Sequence, residues 1–266
     1  MWKTSLGPRP LPGVAEVPDD VTKGETVLAG QALGKAKTVY ATTLQGAGKA
    51  LTAAHVIGDT PPPVTQTARH WAYSLFRVHD SLAIAELDVP WWTYRAIDAV
   101  KLWLAAHDGP VRVYEYGSGA STFWLSRRCD EVHSVEHHRG FGEMMAGELA
   151  GQANVSLRII EPTTSRSPRV GSQKEGHGGL DFYDYVHSID DVAGDFDIVV
   201  IDGRAREACL EASRHRLARG GIIVYDNSLR RRYRLAIEGS GMVAHRYRGL
   251  TPTLPYPDQT SLLTAP

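Results

Sequence analysis

The sequence has little cysteine, no long apolar run and no dominant sign of charge, and each shortage excludes something. Only Cys129 and Cys209 occur among 266 residues, too few for a disulfide framework or a cysteine-rich zinc module. Two reduced thiols in a cytosolic protein is the simpler reading. No stretch approaches the roughly 18 consecutive apolar residues of a membrane span, so no membrane part is expected. Met1 to Pro12 holds Lys3 and Arg9 but no apolar segment. No signal peptide is read there, and the cytoplasm is the expected location. Lys plus Arg is 29 against Asp plus Glu 30, a net charge of -1. Such a chain does not hold nucleic acid through bulk charge, although a local basic patch stays open.

What is present is ordinary globular usage, with 42% hydrophobic and 22% charged residues, which excludes wholesale disorder. The length suits one good-sized α/β domain, alone or with an appendage. Residues 1–88 read as an N-terminal extension, partly ordered and with no chemistry of its own. Pro8, Pro10, Pro12 and Pro18 open it and disfavour regular structure. Val27, Leu28, Leu33, Val39, Leu51 and Val56 follow at loosely helical spacing, weakened by intervening glycines. Pro61 to Pro63 is a stiff break. After it Trp71, Leu75, Phe76 and Leu82 to Ile84 can pack a short element on the main domain.

Residues 89–266 alternate between strand-like and helix-like stretches. Thr93 is placed to cap a helix running through Ala106, with Ile97, Val100 and Leu104 on one face. Strands are expected over Val111 to Tyr116, Val132 to Val135, Val155 to Ile160, Asp197 to Ile201 and Ile222 to Tyr225. Helices are expected over Phe123 to Arg128, Met144 to Leu149, Glu207 to Leu217 and Arg231 to Gly239, with Gly220-Gly221 stopping the third. Val243 to Tyr247 and Thr260 to Thr264 form a closing antiparallel pair. This alternation implies a parallel sheet with helices on both faces.

The main chemical signal is Glu115-Tyr116-Gly117-Ser118-Gly119-Ala120-Ser121-Thr122, set between a strand and a helix. Glycine lets the backbone turn sharply and approach a ligand, and the helix start offers free N–H groups. Glu136 ends the next strand, where a carboxylate can accept both hydroxyls of a ribose. Asp202-Gly203 ends the fourth strand and Asp226-Asn227 the fifth. In an open parallel sheet these ends converge on one crevice.

On these motifs, residues 89–266 resemble the class I S-adenosylmethionine-dependent methyltransferases. Glu115 to Gly119 is similar to their acid-x-Gly-x-Gly motif, Glu136 to their ribose-holding acid, and Asp197 to Gly203 and Gly220 to Asn227 to their fourth- and fifth-strand motifs. Val243 to Tyr247 and Thr260 to Thr264 are similar to their reversed sixth and seventh strands. Asp88 to Thr93 and the Glu-Tyr-Gly-Ser-Gly-x-Ser-Thr form resemble a bacterial subgroup acting on small molecules. The resemblance implies a Rossmann-like α/β fold with a seven-stranded, mostly parallel sheet. It also implies S-adenosylmethionine as cofactor and methyl transfer to a small-molecule acceptor. A hydroxyl oxygen is the first choice of acceptor atom, on a sugar or polyhydroxylated metabolite. Two alternatives stay open: a non-catalytic, nucleoside-binding or scaffold relative, and an NAD(P)-dependent oxidoreductase. The latter lacks its third fingerprint glycine, replaced by Thr122, and a Tyr-x-x-x-Lys pair.

The resemblance also assigns roles. Glu115, Gly117, Ser118, Gly119, Ser121 and Thr122 cradle the amino-acid end of the cofactor. Glu136 holds ribose, His137 and His138 cover the adenosine ring, and Glu161 contacts adenine. Asp202 touches the cofactor and, with Asp226 and Asn227, forms the catalytic set. In catechol-type O-methyltransferases a comparable trio binds Mg²⁺, so the same three residues are candidate metal ligands. Without metal, a carboxylate acts as base or orients the acceptor. The loop Ser165 to Gly179 can close over substrate. Nine arginines lie in residues 204–234. Arg204 and Arg230 are taken as acceptor-side residues suited to a carboxylate or phosphate, while Arg214, Arg216 and Arg219 are read as a solvated helix face. Trp91 or Trp92 lines the pocket, because two adjacent tryptophans cannot both be buried in one simple strand. Nucleic acid is not the expected partner, and an oligomer is left open.

Overall fold

Short runs of β-branched and aromatic residues, each followed by an amphipathic stretch, build the architecture. The computed structural model describes residues 60–77, 85–174 and 176–266. The readings placed on Val27 to Val56 and on Leu82 to Ile84 fall outside them.

Helix α1 (Thr67–Ser74) precedes α2 (Tyr94–Ala106). Then come β1 (Arg112–Tyr116), α3 (Ala120–Ser126), β2 (Glu131–Glu136), α4 (Arg139–Glu148) and β3 (Val155–Ile159). A two-stranded insertion, β4 (Thr163–Thr164) with β5 (Leu180–Asp181), leads to the short helix α5 (Tyr183–His187). The chain closes through β6 (Phe196–Ile201), α6 (Arg206–Ser213), β7 (Leu217–Tyr225), α7 (Arg231–Gly239), β8 (Val243–Gly249) and β9 (Asp258–Thr264).

The main sheet has seven strands in the order β3-β2-β1-β6-β7-β9-β8. β9 is antiparallel to both neighbours, β7 and β8. Thus only the last strand runs against the rest, where two reversed strands were expected. Strand alternation sends side chains to two cores. Val113, Ile198, Val200 and Val224 face α2 and α3, while Tyr114, Tyr116, Val199, Ile201 and Ile223 face α5, α6 and α7. Both faces of the sheet are therefore covered, which explains the near-continuous apolar run of β6.

Thr93 caps α2 as expected, its side chain accepting from the Ala96 N–H. Trp71, Leu75 and Phe76 do form a short element: Trp71 Nε1 donates to the Leu254 carbonyl at 2.9 Å, and Tyr73 and Leu87 join the core that holds Val89 and Trp92. Gly220-Gly221 does not stop a helix. α6 ends at Ser213, and both glycines lie inside β7. A Cβ on Gly221 would meet the Asp197 carbonyl oxygen at 2.8 Å, beside the register shift between Phe196 and Ile198. The pair marks an irregularity that lets two strands pass closely, a use of glycine that looks like a stop in sequence.

The connections β1-β2-β3 step outward in one direction and β6-β7 in the other. The crevice of such a sheet opens at this reversal, beyond the carboxyl ends of β1 and β6.

Candidate functional site

The cavity lies at that reversal, with a volume of about 430 Å³. Its floor is the turn after β1. Gly117 has φ +96, and a Cβ there would meet Gly203 Cα and N at 2.8 Å. The loops after β1 and β6 thus touch backbone to backbone, and a side chain at Gly117 would separate them. Gly117 to Ser121 line one wall. α3 begins at Ala120, three residues before the stretch expected as helix, so its first turn includes Ala120 and Ser121 of that wall.

Glu115 does not reach this wall. Its side chain is fully buried. It accepts from Ser121 Oγ at 2.5 Å, Thr122 Oγ1 at 2.6 Å and Ser134 Oγ at 2.7 Å. Burial pushes its carboxyl up to about 7 against these donors. Thr122 also accepts from the Gly119 N–H at 2.9 Å and is itself fully buried. Both residues, expected to touch the cofactor, instead brace the glycine loop from behind. Side chains alternate across a strand, and Glu115 points away from the crevice its backbone borders.

Glu136 is on the wall. Its Oε1 accepts from the His137 and His138 backbone N–H groups at 2.9 and 2.8 Å. His137 Nδ1 lies 2.8 Å from the same oxygen. Burial raises the carboxyl, but His137 and these N–H groups outweigh it and hold Glu136 below the ordinary range. Oε2 has only Ser118 Oγ, at 3.4 Å. The carboxylate is thus held in its ionised form, and among the described residues Oε2 has only this long hydrogen bond. His137, His138 and Phe141 continue this end of the cavity. Phe141 was not anticipated; the one signal for it is an aromatic in the first turn after the acidic strand end. Lys174 and His177 from the long loop after β3 also line the cavity. The His177 ring stacks on Phe182, with centroids 6.1 Å apart. Glu161, expected at adenine, is not among the lining residues; it is exposed, and Arg139 Nη2 holds it at 2.6 Å.

Across the cavity stand Asp202, Gly203 and Arg204. Asp226 and Asn227, expected beside Asp202 as catalytic groups and metal ligands, lie behind it. Asp226 is 4% exposed and accepts from Thr260 Oγ1 at 2.7 Å. Burial and the nearby Asp202 carboxylate push its carboxyl well up. Asn227 bonds Asp258 Oδ2 through Nδ2 at 2.8 Å. The guanidinium of Arg206 sits among the three, bonded to Asp202 Oδ1 at 2.6 Å and Asn227 Oδ1 at 3.0 Å. The donor set does not fit Mg²⁺, because the buried Arg206 guanidinium already takes Asp202 Oδ1 and Asn227 Oδ1, while the Asp226 carboxylate is engaged by Thr260. Among the described residues no group of His, Cys, Asp or Glu is placed to hold a metal ion. The signal for Arg206 in the sequence was its position four residues after Asp202, at the start of a helix.

Trp91 lines the cavity and donates from Nε1 to Thr253 Oγ1 at 3.1 Å. Trp92 does not: it is fully buried and packs edge-on against Trp124. Arg230 is also off the cavity; it precedes α7 with its guanidinium carbon 5.8 Å from the Tyr233 ring centroid. Arg216 is no solvated residue. It donates to the Ile189, Val192 and Gly194 carbonyls and ties down the turn before β6. Both cysteines are free and buried.

No family model matches the chain, and no curated protein matches it. Solved structures do share its path. A precorrin-6y C5,15-methyltransferase from Geobacter metallireducens has 16% identity and a TM-score of 0.44, over 64% of this chain and 88% of that one. An rRNA methylase from Streptococcus thermophilus has 14% identity and a TM-score of 0.44, over 64% and 95%. A Streptococcus mutans protein solved in complex with SAH has 13% identity and a TM-score of 0.43, over 63% and 96%. At these identities and scores the likeness says nothing about chemistry.

Proposed function

We propose that this chain, whose Glu115 to Thr122 motif and seven-stranded sheet fit the resemblance to the class I S-adenosylmethionine-dependent methyltransferases, transfers the methyl group of S-adenosylmethionine to a small-molecule hydroxyl. The observation that carries the reading is the pairing of Glu136 with the glycine turn across one cavity. A carboxylate kept ionised suits a ribose diol, and the Gly117 to Ser121 wall lets an amino-acid end lie against backbone. His138 and Phe141 supply flat and apolar surface for a base beside Glu136.

Bound there, the cofactor supplies an electrophilic methyl group on a sulfonium. Asp202 is the one member of the expected catalytic trio on the wall. Arg206 holds its Oδ1. Burial raises the Asp202 carboxyl, with Arg206 and Arg204 opposing, so it can receive a proton more readily than an exposed aspartate. The cofactor's sulfonium would supply the methyl group to the acceptor oxygen and take back the bonding electron pair, and Asp202 would accept the hydroxyl proton and pass it to solvent. Orientation supplies much of the rate.

The test is calorimetric titration with S-adenosylhomocysteine, with NAD as a control. Micromolar binding of the former and silence from NAD are expected. Glu136→Ala should weaken binding at least tenfold, about 1.4 kcal/mol or more. Unchanged affinity sinks the ribose assignment; binding of NAD alone favours the oxidoreductase reading; no binding of either favours a scaffold.

A further inference from the structure

The guanidinium of Arg206 is saturated. Nε donates to the Gly203 carbonyl at 3.1 Å, and Nη1 to the Asp226 carbonyl at 2.7 Å and Asn227 Oδ1 at 3.0 Å. Nη2 donates to the carbonyl and to Oδ1 of Asp202. These are five bonds for the five N–H groups an arginine owns. The residue is 5% exposed, and its partners are oxygens from the ends of β6 and β7. Such convergence of carboxylate, amide and carbonyl oxygens from two strand ends is what a hard divalent cation would need.

Three features show that the arrangement is built for this occupant. Asn227 takes φ +51, a left-handed conformation that asparagine tolerates, and its side chain bridges Arg206 to Asp258. Ala205, the residue before α6, takes φ +49, a strained position for alanine. Tyr233 closes the far side, its ring centroid 5.4 Å from the guanidinium carbon. A second cation, Arg204, faces the same loop and is itself held down by burial and by Arg206. A divalent ion added here would meet two guanidinium groups in a low-dielectric site.

We propose that Arg206 is a built-in cation standing where a metal would bridge β6 and β7, and that it is the positioning residue fixing Asp202 toward the cavity. The proposal rests on the methyl-transfer reading for the role of Asp202. Its chemical consequence is that the acceptor is not held by chelation. No ion is then available at this place to lower the pKa of a bound hydroxyl.

Mn²⁺ titration followed by the free-ion electron paramagnetic resonance signal tests it. The wild-type protein should take up no Mn²⁺ up to about 1 mM, and its melting temperature should not move with the ion. Arg206→Ala should melt lower, take up Mn²⁺, and recover part of the lost melting temperature when the ion is present. Asp202→Asn added to that variant should abolish the uptake. A merely structural arginine would leave no metal rescue behind. Wild-type Mn²⁺ binding that disappears in Asp202→Asn overturns the proposal, and so does a folded Arg206→Ala that takes up none. If Arg206→Ala does not fold, the wild-type titration decides alone. S-adenosylhomocysteine binding is measured on the same samples. Its failure would remove the methyl-transfer reading and leave the Mn²⁺ result on Arg206 intact.

Discussion

The wall of the cavity and the layer just behind it use the same residue types for opposite purposes. Glu136 and Asp202 stand on the wall: Glu136 has one oxygen held by backbone N–H groups and the other by Ser118 Oγ alone at 3.4 Å, and Asp202 has Oδ1 held by Arg206. Glu115 and Asp226 stand behind it, ended by hydroxyl donors from Ser121, Thr122, Ser134 and Thr260. Trp91 and Trp92 divide in the same way. A polar residue at a strand end is thus no site by itself; which side of the strand it points to decides. Changes on the wall should cost affinity, and changes behind it should cost stability.

The largest contrast should come from the tryptophans. Trp92→Ala removes a fully buried side chain packed on Trp124 and should cost about 3–5 kcal/mol in urea unfolding followed by circular dichroism. Trp91→Ala should cost less than half of that and should weaken S-adenosylhomocysteine binding. Equal losses of stability would erase the distinction between wall and backing.

Next in size is a pH effect from the layer behind. Glu115 ionises near 4.5 when unfolded and at about 7 in the native chain, because burial outweighs its hydroxyl donors. The native state therefore keeps a proton that the unfolded state has released. The contribution of Glu115 is full below about pH 4.5 and falls as pH rises to 7, by about 3 kcal/mol at most. Glu136, with its carboxyl held low, works in the opposite sense, so the net slope mixes both. Glu115→Gln isolates the term: between about pH 5 and about pH 8 its unfolding midpoint should fall less than that of wild type. Parallel curves for the two proteins would show that Glu115 is ionised in the native state.

Much of the fold was legible in the sequence, because strands buried on both faces and helices between them leave strong periodic patterns. The order of elements from Thr93 onward, and Glu136 and Asp202 on the crevice, follow from strand ends in a parallel sheet. What was not legible depended on direction and on long-range contact. Glu115 and Glu161 sit at strand ends like Glu136, yet the first points inward and the second outward. Arg206 looked like one of nine arginines until folding brought Asp202, Asp226 and Asn227 around it. Gly220-Gly221 has the composition of a stop, and only the approach of β6 turns it into strand. The strands β4 and β5 have no periodicity that could announce them, whereas the loop Ser165 to Gly179 between them, read from its composition as able to close over substrate, does bring Lys174 and His177 to the cavity.

The smallest expected effect belongs to a residue outside both layers. Glu161 follows β3 and pairs with Arg139, but their side chains are 44% and 62% exposed. In water such a pair is worth under about 1 kcal/mol, because solvent screens it and two long side chains lose freedom to make it. Glu161→Ala should therefore shift stability by less than about 0.5 kcal/mol. It should also leave S-adenosylhomocysteine affinity within about twofold of wild type, where Glu136→Ala costs tenfold or more. Glu136 ends β2 and Glu161 follows the end of its neighbour β3, so this pair compares position with little change in chemistry. A loss at Glu161 as large as at Glu136 would mean that the cavity extends past β3 when a ligand binds. The wall would then have to be redrawn to include the strand end it now leaves out.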